Sequence, residues 1–464
     1  MSFNKVTAED ISVFIKIAGE DRVFWGEAIS EDYHRDEMTE YGLYAPECVI
    51  QAQSTEEISE ILKYCNERLI PVTPRGSGTG LCGGCVAIHG GIVLSTERMK
   101  RLIEVDPVNM TATVEPGLLL MEFSKLLEGT GLFYPPDPGE KSATIGGNVM
   151  TNAGGMRAVR FGVTRDYVLG MKFVLASGEI LSLGGKTVKT SSGYNLIQLI
   201  CGSEGTLGFL SEITVKLIAE PKYNVSLLAP FESLSRCVEA VSPVLNGATP
   251  TAVEFMEKEV IEDSERYLGK QFPDKSANAY LLVRLDAADM TSLSPAVEQL
   301  TDILLSCGAE DVLLADTDER KTSIWDARGA FLEAIKGGTP SMDECDVVVP
   351  RNKIAAFIEE SQRLSAKYSI RVRSFGHAGD GNLHIYACQD DLNDEIWKKN
   401  VQALMDGLYE KARELGGQIS GEHGVGHAKK QFLKESMGDA PIAIMRGIKL
   451  AFDPNGILNP GKIV

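Results

Sequence analysis

The sequence predicts an α+β protein, and three observations lead there. At 464 residues the chain exceeds one ordinary core, and dividing by ~150 residues per domain gives about three compact units. Three glycine-rich loops punctuate short strands and helices in the first half. After Pro221 the patterns follow a β-α-β-β-α-β order, which builds an antiparallel sheet carrying helices on one face. The expected divisions are 1–220, 221–420 and 421–464. A hydrophobic content of 44% with 46 glycines describes a folded, loop-rich globular chain.

The start, Met1-Ser2-Phe3-Asn4-Lys5, runs into acidic, helix-like sequence without the charged start, apolar stretch and small-residue cleavage site of a secretory leader. No apolar run reaches the ~18 residues needed to span a bilayer, so a cytoplasmic protein with no transmembrane segment is expected. A formal charge of −19 repels polyanions and argues against unaided binding to nucleic acid or an anionic membrane. Nine cysteines, odd in number and scattered, read as reduced thiols. Cys82-Gly-Gly-Cys85 is the one suggestive spacing. With no second pair it reads as small side chains permitting tight packing, and no chemistry is assigned to it.

Residues 55–68 have the apolar spacing of an amphipathic helix, with Ile58, Ile61, Leu62, Cys65 and Leu69 on one face and Ser54 and Glu57 as a capping box. A strand at Ile70–Val72 follows. The next loop, Pro74-Arg75-Gly76-Ser77-Gly78-Thr79-Gly80-Leu81, lets successive backbone N–H groups converge on an anion, as a diphosphate cradle requires. A Rossmann reading fails, because strand-like Gly91–Ser95 follows where a helix should stand. A second permissive region runs from Pro135 to Gly155, and a third loop, Cys201–Gly208, closes this half.

In the second half, strands are expected at 224–229, 251–256, 279–285 and 311–314, and helices at 233–245, 294–307, 351–367 and 393–415. The last two flank His377-Ala-Gly-Asp-Gly-Asn-Leu-His384, and Gly421-Glu422-His423-Gly424 follows. Four of the six histidines lie in this region if His427 is counted. A lone histidine reads as a turn or core residue. Here the Gly-Asp-Gly turn lets the chain double back and aim two rings at one point, and Glu422 adds a carboxylate. Two imidazoles and a carboxylate suit one divalent transition metal with open coordination positions. Pro454–Lys462 and the helix before it should pack back on the first half.

The three loops resemble those of the FAD-binding domain in the vanillyl-alcohol oxidase and p-cresol methylhydroxylase superfamily, over residues 40–220. The resemblance implies a two-part FAD-binding domain. Arg75, Gly76, Ser77, Gly78, Thr79, Gly80 and Leu81 would hold the diphosphate, and Pro138, Gly139, Ala143, Thr144, Gly147, Asn148, Gly154 and Gly208 would line the cofactor. The second half resembles the C-terminal domain of FAD-linked D-2-hydroxy-acid dehydrogenases, implying a ferredoxin-like antiparallel-sheet cap domain. The motifs Gly-His-x-Gly-Asp-Gly-Asn-Leu-His and Gly-Glu-His-Gly carry this resemblance. They imply that His377, His384 and Glu422 bind the metal and that His423 is the catalytic base. Trp325-Asp326-Ala327-Arg328 resembles the segment in which relatives hold the substrate carboxylate with arginine, which implies that role for Arg328.

The implied reaction oxidises a small D-2-hydroxy acid, best D-lactate, to its 2-oxo acid, with proton removal by His423 and hydride transfer to non-covalent FAD. Iron(II), zinc(II) or manganese(II) would serve. Two positions depart from the family pattern. Glu344 stands where 2-hydroxyglutarate enzymes use a lysine, a poor setting for a second anionic group, and Tyr386 stands where many relatives have asparagine. With no iron–sulfur or NAD motif, the electrons are expected to pass to another component, and the resemblance to lactate dehydrogenases that work with an electron-transferring flavoprotein implies that partner. The alternatives are a glycolate dehydrogenase subunit, an oxygen-using oxidase, and an electron-relay flavoprotein subunit with a structural metal.

Overall fold

Ser54 accepts a hydrogen bond from the Glu57 amide at 3.1 Å and starts the helix Thr55–Arg68. Its Ile58, Ile61, Leu62 and Cys65 are fully buried, the face expected from their spacing. The reciprocal half of the capping box is replaced. The Glu57 carboxylate accepts the Gln53 amide at 2.9 Å and both Arg22 Nη atoms at 2.7 and 2.9 Å, because a guanidinium fork offers two charge-assisted bonds where the box offers one.

The computed structural model describes residues 3–464, and the chain divides into two compact units. The first comprises the chain through Ala153, Val163–Ala219 and Glu422–Val464; the second comprises Gly154–Gly162 and Glu220–Gly421. Residues 422–464 therefore belong with the N-terminal unit, and a short piece near 160 belongs with the second.

The first unit is built on two sheets. One has the order Val23–Trp25, Cys48–Gln51, Ile92–Ser95, Val72–Arg75, the last three strands parallel. Its apolar face shares a core with the helix Thr55–Arg68. The strand expected at Ile70–Val72 actually runs Val72–Arg75, taking in Pro74 and Arg75 from the expected loop. Edge position permits the proline, which lacks a ladder donor. Val72 bonds instead to the C-terminal segment, donating to Ile457 O at 2.8 Å and accepting from the Asn459 amide at 2.7 Å. The second sheet is antiparallel, in the order Leu102–Asp106, Thr111–Val114, Phe209–Lys216, Val168–Val174, Ile180–Gly184.

The second unit is one seven-stranded antiparallel sheet. Its order is Leu313–Ala315, Tyr223–Phe231, Ala279–Ala287, Ala252–Glu257, Arg371–His377, Asn382–Cys388, Met342–Val348. Numbered along the chain, the first four read 4-1-3-2, the expected ferredoxin-like order, which three further strands extend. A helix missing from the expectation, Lys258–Leu268, joins Ala252–Glu257 to Ala279–Ala287. Its buried face mixes Val260 and Ile261 with Asp263 and Ser264, so hydrophobic periodicity alone does not reveal it. The helices Met290–Ser306, Ile354–Tyr368 and Asp394–Glu414 lie close to their expected spans. All nine cysteines are free thiols. Among the described residues, no helix is long and apolar enough to cross a membrane.

Candidate active-site groups

His377 and His384 close a hairpin. His377 ends the strand Arg371–His377, and its carbonyl accepts the Asp380 and Gly381 amides at 3.1 and 3.0 Å. Gly381 has φ +90°, and a Cβ there would lie 2.1 Å from Val349 O, so the turn demands glycine. The chain returns as Asn382–Cys388, leaving the two imidazole centroids 5.3 Å apart and both rings buried. The expected doubling back is present.

The second unit orients His377 with two groups that the sequence reading passed over or placed elsewhere. His377 Nδ1 lies 2.8 Å from Glu254 Oε1. A carboxylate only accepts, so Nδ1 carries a proton, and in the neutral ring the lone pair is then on Nε2. Arg328 donates to the same carboxylate from Nε at 3.0 Å and Nη2 at 2.7 Å, and its guanidinium lies 4.6 Å from the Phe375 ring centre. Burial pushes the Glu254 carboxyl upward, but His377 and Arg328 outweigh it and hold the group below the ordinary range. Arg328 comes from the helix Asp318–Gly329 and is itself buried. The signal for Glu254 was a lone acid inside an apolar strand, Ala252-Val253-Glu254-Phe255-Met256.

A second acidic group lies on the neighbouring strand. Glu344 and Asp346 pair in register with Tyr386 and His384, so all four share one face of the sheet. His384 Nδ1 is 3.8 Å from Glu344 and 3.9 Å from Asp346. Asp346 accepts bonds from Asn382 Nδ2, Ser420 Oγ and the Gly421 amide at 2.7, 2.8 and 3.0 Å. That tie fixes the last residue of the unit. Glu422 is next along the chain.

In the first unit the expected cofactor loops meet. A Cβ on Gly76 would lie 2.3 Å from Thr144 Oγ1, so the first loop passes directly over the start of the helix Ile145–Thr151. Thr144 caps that helix, accepting the Gly147 amide at 3.1 Å. Asn148, one turn in, has a buried Nδ2 with no protein acceptor. Ser77 and Gly78 border a cavity of about 510 Å³ that Asp32, Tyr33, Arg35 and Glu97 also line. Arg75 braces the loop from below, donating to Asp32 O and Arg35 O at 2.7 Å each and to Cys85 Sγ at 3.2 Å. Thr79 lies 3.5 Å from Ser77 through their hydroxyls, and Gly80 O accepts the Glu37 amide at 3.1 Å. Leu81 leads from there to Cys82. Pro138 O accepts from Lys141 Nζ at 3.0 Å, next to Gly139, and Ala143 is buried beside Thr144. Gly208 is required by packing, since a Cβ would meet the Phe173 ring at 2.3 Å. Gly154 opens the short piece assigned to the second unit.

The segment with Glu422 and His423 also belongs to the first unit. These adjacent side chains converge: His423 Nε2 lies 3.6 Å from Glu422 Oε1. The backbone bends here, with Gly424 at φ +85°, so the alternation of an extended strand does not apply.

Two known domains account for most of the chain. Residues 220–463 match the C-terminal domain of FAD linked oxidases, and residues 46–184 match an FAD binding domain. The chain belongs to the FAD-linked oxidase family. A D-lactate dehydrogenase from Anaerostipes hadrus is 50% identical over 467 residues, covering 99% of this chain and 98% of the relative. A glycolate oxidase subunit from Bacillus subtilis is 41% identical, covering 90% and 89%. A D-lactate dehydrogenase from Archaeoglobus fulgidus is 40% identical, covering 90% and 91%. This FAD-linked oxidase therefore groups with the D-lactate and glycolate dehydrogenases, as its motifs imply. Its fold is that of p-cresol methylhydroxylase, whose substrate-bound structure matches with a TM-score of 0.82 at 19% identity, covering 99% of this chain and 97% of that one.

The residues of this FAD-linked oxidase fit a flavin nucleotide. Glycines let the first loop approach Thr144, and the buried Asn148 amide offers a donor that no protein atom uses. The histidines fit a metal, because a ligating imidazole characteristically gives its other N–H to a carboxylate, as His377 does to Glu254.

Proposed function

We propose that this FAD-linked oxidase is a cytoplasmic enzyme that oxidises D-lactate to pyruvate and passes the electrons to an electron-transferring flavoprotein. The carrying observation is the buried chain Arg328–Glu254–His377, which holds one imidazole in a fixed tautomer across the hairpin from His384. The 50% identity to a D-lactate dehydrogenase supports the substrate.

Each residue has a task in this reading. Bound FAD supplies the hydride acceptor. His377, His384 and Glu422 would hold one divalent metal, iron(II), zinc(II) or manganese(II), which would lower the pKa of the substrate hydroxyl. Neutral His423 takes the hydroxyl proton. Arg328, kept in place by Glu254 and Phe375, is the cation for the acid's carboxylate. Glu344, buried 3.8 Å from His384, adds a carboxyl group there, which suits a monocarboxylic acid over a diacid.

Anaerobic titration of the bound flavin with a panel of D- and L-2-hydroxy acids tests the reading. D-Lactate should bleach the flavin and L-lactate should not. Preferential bleaching by glycolate would favour the glycolate reading, which the Bacillus subtilis relative supports. A flavin that no 2-hydroxy acid reduces would point to a relay subunit. Stopped-flow reoxidation tests the acceptor: fast reoxidation by oxygen, with no gain from an electron-transferring flavoprotein, would make the protein an oxidase.

A further inference from the structure

Glu204 stands in the third glycine-rich loop with φ +50°, a conformation that L-residues with side chains seldom adopt. Its backbone is tied on both sides: the amide donates to Met150 O at 2.8 Å, and the carbonyl accepts from Asn459 Nδ2 at 2.7 Å. The carboxylate is buried, 9% of the residue being exposed. It faces neither solvent nor the glycines of its own loop. Oε1 accepts the Val425 amide and Oε2 the Gly426 amide, each at 2.7 Å. A Cβ on Gly424 would lie 2.8 Å from Oε1, so glycine is needed for the close approach. The first loop grips the same turn, because Cys82 O accepts the His427 and Ala428 amides at 3.1 and 3.3 Å. All these groups lie in one unit.

We propose that Glu204 is a positioning residue for His423. Val425 and Gly426 follow His423-Gly424 directly, so a carboxylate that captures both amides sets where the imidazole backbone begins. Bonds from amides to a buried carboxylate are short and strong because the acceptor is charged and water is excluded. Glu204 also belongs to a loop expected to line the FAD. The base and the cofactor thus share one frame, and a displacement of about 1 Å in such a frame costs on the order of 100-fold in rate. The inference rests on the reading of His423 as the base.

The test uses the FAD-loaded, metal-loaded enzyme and D-lactate. Glu204→Gln keeps the shape but replaces one acceptor oxygen with a donor facing an N–H. Flavin reduction at saturating D-lactate should fall about 100-fold while D-lactate affinity and FAD content stay near wild type, the split expected when only transition-state geometry is lost. In a His423→Asn background the same substitution should do almost nothing further, since both act through one group. Wild-type reduction by Glu204→Gln, or losses that multiply in the double variant, would overturn the proposal. Unimpaired reduction by His423→Asn alone would instead remove the base reading. The clamp then stands or falls on hydrogen exchange in the wild-type enzyme, which also serves if Glu204→Gln does not fold. Slow exchange at Val425 and Gly426 supports the clamp, and exchange at the rate of an open loop refutes it.

Discussion

Tyr386 donates a hydrogen bond to Glu344 at 2.8 Å, from the position directly opposite on the neighbouring strand. These are the two residues whose sequence resemblance to relatives was incomplete, Glu344 expected where 2-hydroxyglutarate enzymes use a lysine and Tyr386 where many relatives have asparagine. In the fold they form a single feature, a buried carboxyl group and a donor for it. The tyrosine ring is held in turn by stacking on Phe375 at 5.5 Å and 20°.

Two substitutions separate the roles of the pair. Tyr386→Phe removes one donor from a buried carboxylate and should destabilise the protein by roughly 1–3 kcal/mol in chemical denaturation. Glu344→Gln replaces the carboxyl group with a neutral amide and should raise the kcat/KM ratio of 2-hydroxy diacids to D-lactate by about tenfold. An unchanged ratio would mean that Glu344 does not select the substrate.

Metal retention should depend on a residue that touches no metal. His384→Ala should lose most of the divalent metal while keeping FAD, and Glu254→Gln should weaken metal binding by about 10- to 100-fold by loosening His377. Elemental analysis after dialysis measures both. Full occupancy in His384→Ala counts against the site.

The first loop should tolerate no side chain at Gly76. Gly76→Ala places a Cβ 2.3 Å from Thr144 Oγ1 and should lower FAD affinity by about tenfold or more, with Thr144→Ala in the same chain restoring part of it. Acid precipitation should release the flavin into the supernatant, the outcome expected of a non-covalently held cofactor. Flavin retained in the pellet would contradict that.

His427 gives the protein an acid-sensitive limb. Burial first, then Lys462 and Lys430, push its imidazole down to about 4, whereas an unfolded histidine titrates near ~6.5. Between these values the unfolded chain binds a proton that the folded chain refuses, so stability falls as pH drops from about 6.5 towards 4 and is flat above that range. In His427→Leu this limb should flatten when unfolding midpoints are compared at pH 7 and 4.5. An equal fall in both proteins would place the sensitivity elsewhere.

The turn between His377 and His384, the helix Thr55–Arg68 and the crowding of glycines near Gly76 and Gly205 were legible because each depends on residues a few positions apart. Glycine at a left-handed turn, or an apolar face with a cap, carries its meaning locally. Helix Lys258–Leu268 escaped because its buried face is half polar. The partners of the charged residues were not legible. Glu254 meets Arg328 across 74 residues and His377 across 123, and Glu204 meets Val425 across 221. The sequence determined the hairpin turn, the glycine-rich loops and the inventory of imidazoles, carboxylates and guanidinium. Only the tertiary structure decided which carboxylate holds which cation, because burying a charge is tolerable only beside a specific partner, and that partner is supplied by sheet order and not by neighbours along the chain.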